Sequence, residues 1–152
     1  MLTRIVLGWR EWVALPDLGL AVRAKVDTGA RTSALHVDSQ WRFHDGGAPW
    51  VGFRLGPEGV SGHLLEAAAP IIDERDVTDS GGRTTRRAFL RTRLQLAGVE
   101  RDVEMNLCNR GGMMFPMLLG RTAMARTFTV DPARSFLHGR APARLGEPVI
   151  HS

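Results

Sequence analysis

Apolar and polar positions alternate with a period of two through several stretches of this chain. Val22, Ala24 and Val26 are interleaved with Arg23 and Lys25, and Leu90, Thr92, Leu94 and Leu96 with Arg91, Arg93 and Gln95. Successive side chains of a strand point to opposite faces, so this alternation predicts half-buried strands with one wet face. The segments Trp50 to Leu55 and Val99 to Met105 read the same way. Turn-forming clusters separate these runs: Pro16-Asp17-Leu18-Gly19, Asp45-Gly46-Gly47, Gly56-Pro57-Glu58-Gly59, Asp79-Ser80-Gly81-Gly82 and Arg110-Gly111-Gly112. A helical period is confined to Arg121 to Arg126, directly after Gly120. Short strands at a spacing of roughly 8–12 residues predict an all-β fold, a barrel or sandwich, with one short helix.

Composition narrows the class. The 152 residues suit one domain, and 43% hydrophobic with 24% charged residues is globular usage. No apolar run approaches the ~20 residues that span a bilayer, and no leader-like segment precedes the first strand. Cys108 is the only cysteine, so no internal disulfide is available. The expectation is a cytoplasmic domain without membrane contact, occupying residues 1–138. Pro142, Gly146 and Pro148 mark residues 139–152 as a tail that is poorly ordered or wraps onto a partner. The net charge is +4, and 19 of the 20 basic residues are Arg, Lys25 being the exception. Arg gives planar, bidentate recognition of carboxylate and phosphate, which fits anionic partners; a general bias in composition explains the same usage. So small an excess does not call for nucleic acid.

The chemistry concentrates in Lys25-Val26-Asp27-Thr28-Gly29-Ala30-Arg31-Thr32-Ser33-Ala34-Leu35-His36. A strand ends in Asp-Thr-Gly, small residues follow, and a second strand begins. Asp27 is the candidate catalytic carboxylate, presented on a tight turn at the end of a rigid strand. Thr28 can hydrogen-bond the loop backbone, Gly29 lets the chain turn closely, and Ala30 leaves space above the carboxylate. The same tripeptide is also a reasonable turn with no catalytic role. A second element lies downstream, where the apolar run Phe115-Pro116-Met117-Leu118-Leu119 ends in Gly120-Arg121 and a helix start.

With both elements the sequence resembles the retropepsin-like aspartic peptidases, in which Asp-Thr-Gly-Ala is followed by an apolar strand ending in Gly-Arg. The resemblance implies a small closed β-barrel with a flap hairpin, one short helix, and the apolar strand packed behind the active-site loop. A narrower resemblance runs from Ile5 to Leu137. Its motifs are Val6 to Pro16, Lys25 to His36, Asn109-Arg110-Gly111-Gly112-Met113, Phe115 to Arg121, and Val130-Asp131-Pro132-Ala133-Arg134-Ser135. These are similar to the bacterial family labelled "ATP-dependent zinc protease", associated with the ATP-grasp glutamate ligase RimK. The residues favour only part of that label. His36, His44, His63, His138, His151 and Cys108 are scattered, with no His-Glu-x-x-His pattern, so no metal site and no cofactor are expected. A phosphate-cradling Gly-x-x-x-x-Gly-Lys-Ser/Thr loop is also missing, which leaves ATP to the ligase.

The run from Arg75 to Phe89 reads as a hairpin with a glycine tip, at the place where a retropepsin carries its flap. Arg83, Arg86 and Arg87 cluster there, as a clamp for an acidic peptide or as a solvated, charged strand edge. Arg86, Arg87 and Arg110 are the candidate substrate-binding residues. Cys108 and the methionines 113, 114 and 117 read as packing residues. One Asp-Thr-Gly supplies one carboxylate, whereas aspartic proteolysis uses two that share a proton. A two-fold homodimer pairing Asp27 with its mate meets that need. The ligase association implies glutamate-rich tails as substrate, such as those on ribosomal protein S6. The rival readings are a metal-dependent hydrolase, and a non-enzymatic Arg-rich barrel binding anionic partners such as RNA. Phe89 is the only aromatic in the Arg-rich run, which gives RNA bases little to stack on.

Overall fold

The computed structural model describes residues 3–56, 64–79, 81–109 and 115–139. Its strands are β1 (Ile5–Leu7), β2 (Arg10–Leu15), β3 (Leu20–Asp27), β4 (Ser33–Val37), β5 (Ser39–Asp45) and β6 (Ala48–Leu55). They continue as β7 (Leu65–Pro70), β8 (Asp73–Thr78), β9 (Thr84–Leu96), β10 (Val99–Asn109), β11 (Met117–Gly120) and β12 (Phe128–Val130), with one helix, α1 (Arg121–Met124). No helix of the described residues is long and apolar enough to cross a membrane.

The main sheet runs β10-β4-β11-β3-β2-β9-β8, and a further β9–β10 pairing closes six of its strands into a ring. Closure hides the hydrogen-bonding edges of those six strands and leaves β8 on the rim of β9. The ring is filled by Leu15, Leu20, Leu35, Leu90, Leu94, Met105, Leu107, Met117 and Leu119, all essentially inaccessible to solvent. The alternation in the sequence is thus the inside and outside of a small barrel. Turn chemistry sets its hairpins. Pro16 starts the 3-10 turn between β2 and β3, and Gly19 ends it at φ 68°. Gly46 (φ 58°) and Gly47 (φ 81°) make the β5–β6 turn, while Ala97 (φ 53°) and Gly98 (φ 78°) make the β9–β10 turn.

One crossing decides where the site sits. β3 and β4 follow each other in sequence but do not pair. β11 threads between them, parallel to β3 with Gly120 opposite Asp27, and antiparallel to β4 with Met117 opposite Leu35. The chain from Thr28 to Thr32 must therefore pass around the end of β11.

The two ends of the fold are stitched together. β1 pairs with β12, the Trp9 N–H donates to the Arg134 carbonyl, and the Phe136 N–H donates to that of Arg10. Glu11 is fully buried, and its carboxylate accepts the N–H groups of Gly8, Leu137 and His138 at 2.7, 3.1 and 3.3 Å. Arg10 lies between the rings of Trp9 and Phe136, 4.6 and 4.9 Å from their centroids.

The three-stranded sheet β5-β6-β7 turns Val51, Phe53 and Ala69 inward. Trp41, Phe43 and Trp50 lie on its other face, where Trp41 covers Gly52 so closely that a Cβ there would meet the indole. Strands β1, β2, β5, β7 and β12 have no counterpart in the alternation. The helix is shorter than Arg121 to Arg126 because Ala125 is extended and Arg126 takes φ 71°. Cys108 is half-buried at the end of β10 rather than in the core, and burial raises its thiol pKa. Of the three methionines read as packing residues, Met117 is in the core; Met113 and Met114 lie outside the described residues. The same is true of residues 140–152 of the tail.

Candidate active site

Asp27 is the last residue of β3 and is half-buried, while Thr28 and Gly29 are exposed. The Gly29 N–H donates to Asp27 Oδ1 at 2.9 Å, and the Ala30 N–H donates to the Asp27 carbonyl at 3.2 Å. The turn thus holds the Oδ1 oxygen of the carboxylate. Gly29 also has no room to spare, since a Cβ there would sit 3.2 Å from Asp27 Oδ1.

The rest of the loop is anchored through its carbonyls. Arg121 donates from its guanidinium to the Gly29 carbonyl (3.2 Å) and from its backbone N–H to that of Ala30 (2.8 Å). Thr122 gives both its N–H (3.1 Å) and its hydroxyl (2.8 Å) to the Arg31 carbonyl. The Gly120 N–H donates to Oγ of the fully buried Ser33 at 3.0 Å. Gly120 approaches so closely that a Cβ would lie 2.5 Å from the Thr32 carbonyl carbon. This is the physical reason for glycine before Arg121: two backbones meet where no side chain fits. Ser33 is in turn fixed by Asn106 of β10, whose Nδ2 donates to the Ser33 carbonyl at 3.1 Å.

A carboxylate at a strand end, a loop pinned through its carbonyls and an apolar strand threaded beneath them is the arrangement that the sequence resemblance implies. A family model described as "Retropepsin-like aspartic endopeptidase RimB" matches residues 6–141. The chain belongs to this RimB-like family. A protein of Shewanella pealeana named "Probable alpha-L-glutamate ligase" is 38% identical over 138 residues, covering 90% of this chain and 30% of that protein. Proteins with the same name from Desulfotalea psychrophila and Parasynechococcus marenigrum are 38% and 36% identical, covering 84% and 89% of this chain and 28% and 29% of their own lengths. The chain therefore spans under a third of the curated relatives it matches. A crystal structure of a Legionella pneumophila protein of unknown function superposes with a TM-score of 0.75 at 25% identity, covering 90% of this chain and 99% of that one.

Within this RimB-like domain the candidate residues separate. Asp27, Thr28, Gly29 and Ala30 form one turn, as their sequence order requires. The run from Arg75 to Phe89 forms the β8–β9 hairpin, with Gly82 at φ 82° near its tip. Arg86 is exposed and 3.6 Å from Asp76, its cross-strand neighbour. Arg87 is half-buried and points the other way, donating to Asn106 Oδ1 (3.0 Å) and Thr85 Oγ1 (2.9 Å). Arg110 lies outside the described residues. Phe89 is buried under Arg75, whose guanidinium is 4.2 Å from its ring centroid.

Much of the basic face is internally matched. Arg75 bridges Asp73 and Glu104, Arg91 reaches Glu104, and Arg93 pairs with Asp17 and Glu100. The Arg93 hydrogen bond holds the Asp17 carboxyl below its ordinary pKa, and the Arg75 hydrogen bond does the same for Asp73. Glu100 is lowered first by the Gln95 amide and then by Arg93. Among the described residues no three His, Cys, Asp or Glu side chains gather into a metal-holding group. A groove of about 740 Å³ borders the Asp27 turn, lined by Trp9, Val26, Thr28, Met124 and Phe128, with Arg4, Arg121 and Arg126 around it. Among the described residues no acidic side chain lines it.

Sequence reasoning passed over Asn106 and the roles of Ser33 and Gly120. The available signal was slight: a polar residue in β10 on the strand face opposite Met105 and Leu107, which the fold nevertheless buries.

Proposed function

We propose that the protein is an aspartic peptidase that hydrolyses amide bonds in glutamate-rich tails, working as a two-fold homodimer with one Asp27 from each chain. The observation that carries this reading is the Asp27 turn, a single carboxylate fixed by the Gly29 N–H and by a loop tied to β11 and α1. In the dimer the two Asp27 carboxylates share one proton. The ionised one takes a proton from water, whose oxygen attacks the scissile carbonyl carbon; the protonated one donates to the carbonyl oxygen. Collapse of the tetrahedral intermediate passes a proton to the leaving nitrogen and breaks the C–N bond, with no covalent enzyme intermediate and no metal or cofactor.

The substrate assignment rests on two supports. Relatives in which this segment makes up about 30% of the chain are named probable alpha-L-glutamate ligases, so the segment shares a polypeptide with whatever makes the rest of those proteins a ligase. A peptidase linked to such a ligase, a RimK-type ATP-grasp enzyme in the cytoplasm, is placed to trim the tails it builds, including those on ribosomal protein S6. The Arg excess and the exposed Arg86 suit a polyanionic peptide, with Arg87 and Arg110 as the further candidate contacts and residues 1–138 as the working domain.

The test is hydrolysis of a glutamate-rich peptide by the purified protein. Asp27→Asn keeps the volume but cannot relay a proton, and it is expected to abolish cleavage with folding intact. Excess Asp27→Asn mixed with wild type is expected to poison activity through mixed dimers. Substantial turnover by the variant refutes the assignment, and loss on chelation that zinc restores favours the metal-dependent reading.

A further inference from the structure

On the peptidase reading above, we propose that Asn106, held in orientation by Arg87, is a positioning residue for the Asp27 loop. Asn106 is buried and makes two opposed hydrogen bonds. Its Oδ1 accepts from Arg87 Nη1 at 3.0 Å, and its Nδ2 donates to the Ser33 carbonyl at 3.1 Å. A guanidinium has donors only, so the oxygen of the amide must face Arg87 and the NH2 must face Ser33. Arg87 thereby fixes which way the amide points, and its own Nε is held by Thr85 Oγ1 at 2.9 Å.

Ser33 is where the loop re-enters the sheet. Its carbonyl is held by Asn106 and its hydroxyl by the Gly120 N–H, on the strand whose residue 120 stands opposite Asp27. The path Arg87–Asn106–Ser33–Gly120 therefore joins the β8–β9 hairpin to the far end of the turn that carries the carboxylate. Asn106 is not expected to touch substrate. It acts by keeping the 28–33 loop in one register, so that Asp27 meets its mate and the water in a fixed geometry; small misplacements of reacting groups cost large factors in rate.

The discriminating variant is Asn106→Asp. The carboxylate still accepts from Arg87, but it has no donor for Ser33 and opposes that carbonyl. Arg87→Ala is the milder second variant: the amide keeps its donor for Ser33 but loses the group that orients it, and exchange in 27–33 measured without peptide separates that loss from any loss of substrate contact. Two readouts are needed: kcat and KM on a glutamate-rich peptide, corrected for folded dimer, and hydrogen–deuterium exchange of the segment 27–33. Asn106→Asp is expected to lower kcat by about 10–100-fold with KM within about twofold, and Arg87→Ala by about three- to tenfold. Both are expected to speed exchange in 27–33 selectively. A purely structural Asn106 would lower Tm or the folded fraction and leave kcat per folded dimer unchanged, which overturns the proposal. So does unchanged exchange in 27–33. A wild-type protein that cleaves no such peptide sinks the peptidase reading instead, and the exchange comparison then decides the positioning role by itself.

Discussion

Replacing Gly120 by Ala puts the threaded-strand argument to its hardest test. A Cβ there would fall 2.5 Å from the Thr32 carbonyl carbon, 2.6 Å from its oxygen and 3.0 Å from the Arg31 carbonyl carbon. Ordinary contact between such atoms is about 3.5–4.0 Å, so the added methyl is roughly 1 Å too close to backbone. Neither neighbour can rotate away, because the Arg31 carbonyl is pinned by Thr122 and Ser33 by Asn106. Overpacking of this kind costs about 1–3 kcal/mol. For a chain of this size that is a fall in Tm of about 2–4 °C per kcal/mol, measurable by denaturant titration and thermal scanning. Relief must come from the 28–33 loop, so kcat is expected to fall at least about tenfold in the folded fraction. Gly8→Ala is the control. Its Cβ would strike the backbone of Arg134 and Ser135, outside the Asp27 turn, so it should lose comparable stability while turnover per folded chain stays within about twofold. A Gly120→Ala protein as stable and as active as wild type would show that β11 and the loop do not meet as described.

Three further outcomes follow from the same geometry. Glu11→Ala strips a buried acceptor from the N–H groups of Gly8, Leu137 and His138, and is expected to cost at least about 3 kcal/mol. Limited proteolysis should then cut first in residues 131–139. Ala97→Asn places Asn-Gly in a turn where both residues have positive φ, and denaturant titration is expected to show a gain of about 0.5–1 kcal/mol. Asp17 and Asp73 titrate below their ordinary value of 3.8 in the folded chain, and Glu100 below 4.5, so their pairings stabilise the fold above those values. That stability is lost as pH falls through the folded pKa values. Thermal scans from pH 6 to pH 2 should show Tm falling below about pH 4, less steeply in Asp17→Asn.

The barrel was legible because its wall is wet on one side. Along Leu90 to Leu96 every second residue is inside, and period-two alternation records that directly. Strand β5 escapes the same reading because Trp41 and Phe43 stand on the outer face of its sheet while Gln40 and Arg42 share the inner side with Phe53 and Val51. Strands β1 and β12 escape for another reason: each is three residues long and exists through its pairing with the other end of the chain. Asp27 and its loop were readable because their residues are contiguous. Asn106 was not, since its value lies in one hydrogen bond to a residue 73 positions away. Arg75 and Arg91 illustrate the limit of reading charge from sequence. Their shared acidic partner Glu104 sits on β10, directly opposite Arg91 and one strand further from Arg75, and only the assembled sheet shows that the face is largely neutralised.

That neutralisation moves the question of substrate charge toward the Asp27 end of the molecule. Arg42, Arg54, Arg75, Arg86, Arg91 and Arg93 all have a carboxylate within 4 Å, as the described residues show. Arg31 is different. It is exposed, lies four residues after Asp27, and has its backbone fixed by two donors from Thr122. A cation on a rigid loop that has no carboxylate partner among the described residues keeps its field for an incoming anion, whereas a paired one must first give up its partner. Arg31→Ala is therefore expected to lower kcat/KM on a glutamate-rich peptide by at least about tenfold and to flatten its dependence on salt, leaving Tm nearly unchanged. Arg91→Ala, on the neutralised face, should do neither. Arg86→Ala falls between the two, because its contact with Asp76 is long and solvent-exposed. Equal salt dependence in wild type and Arg31→Ala would return substrate recognition to the hairpin and leave the loop with the chemistry alone.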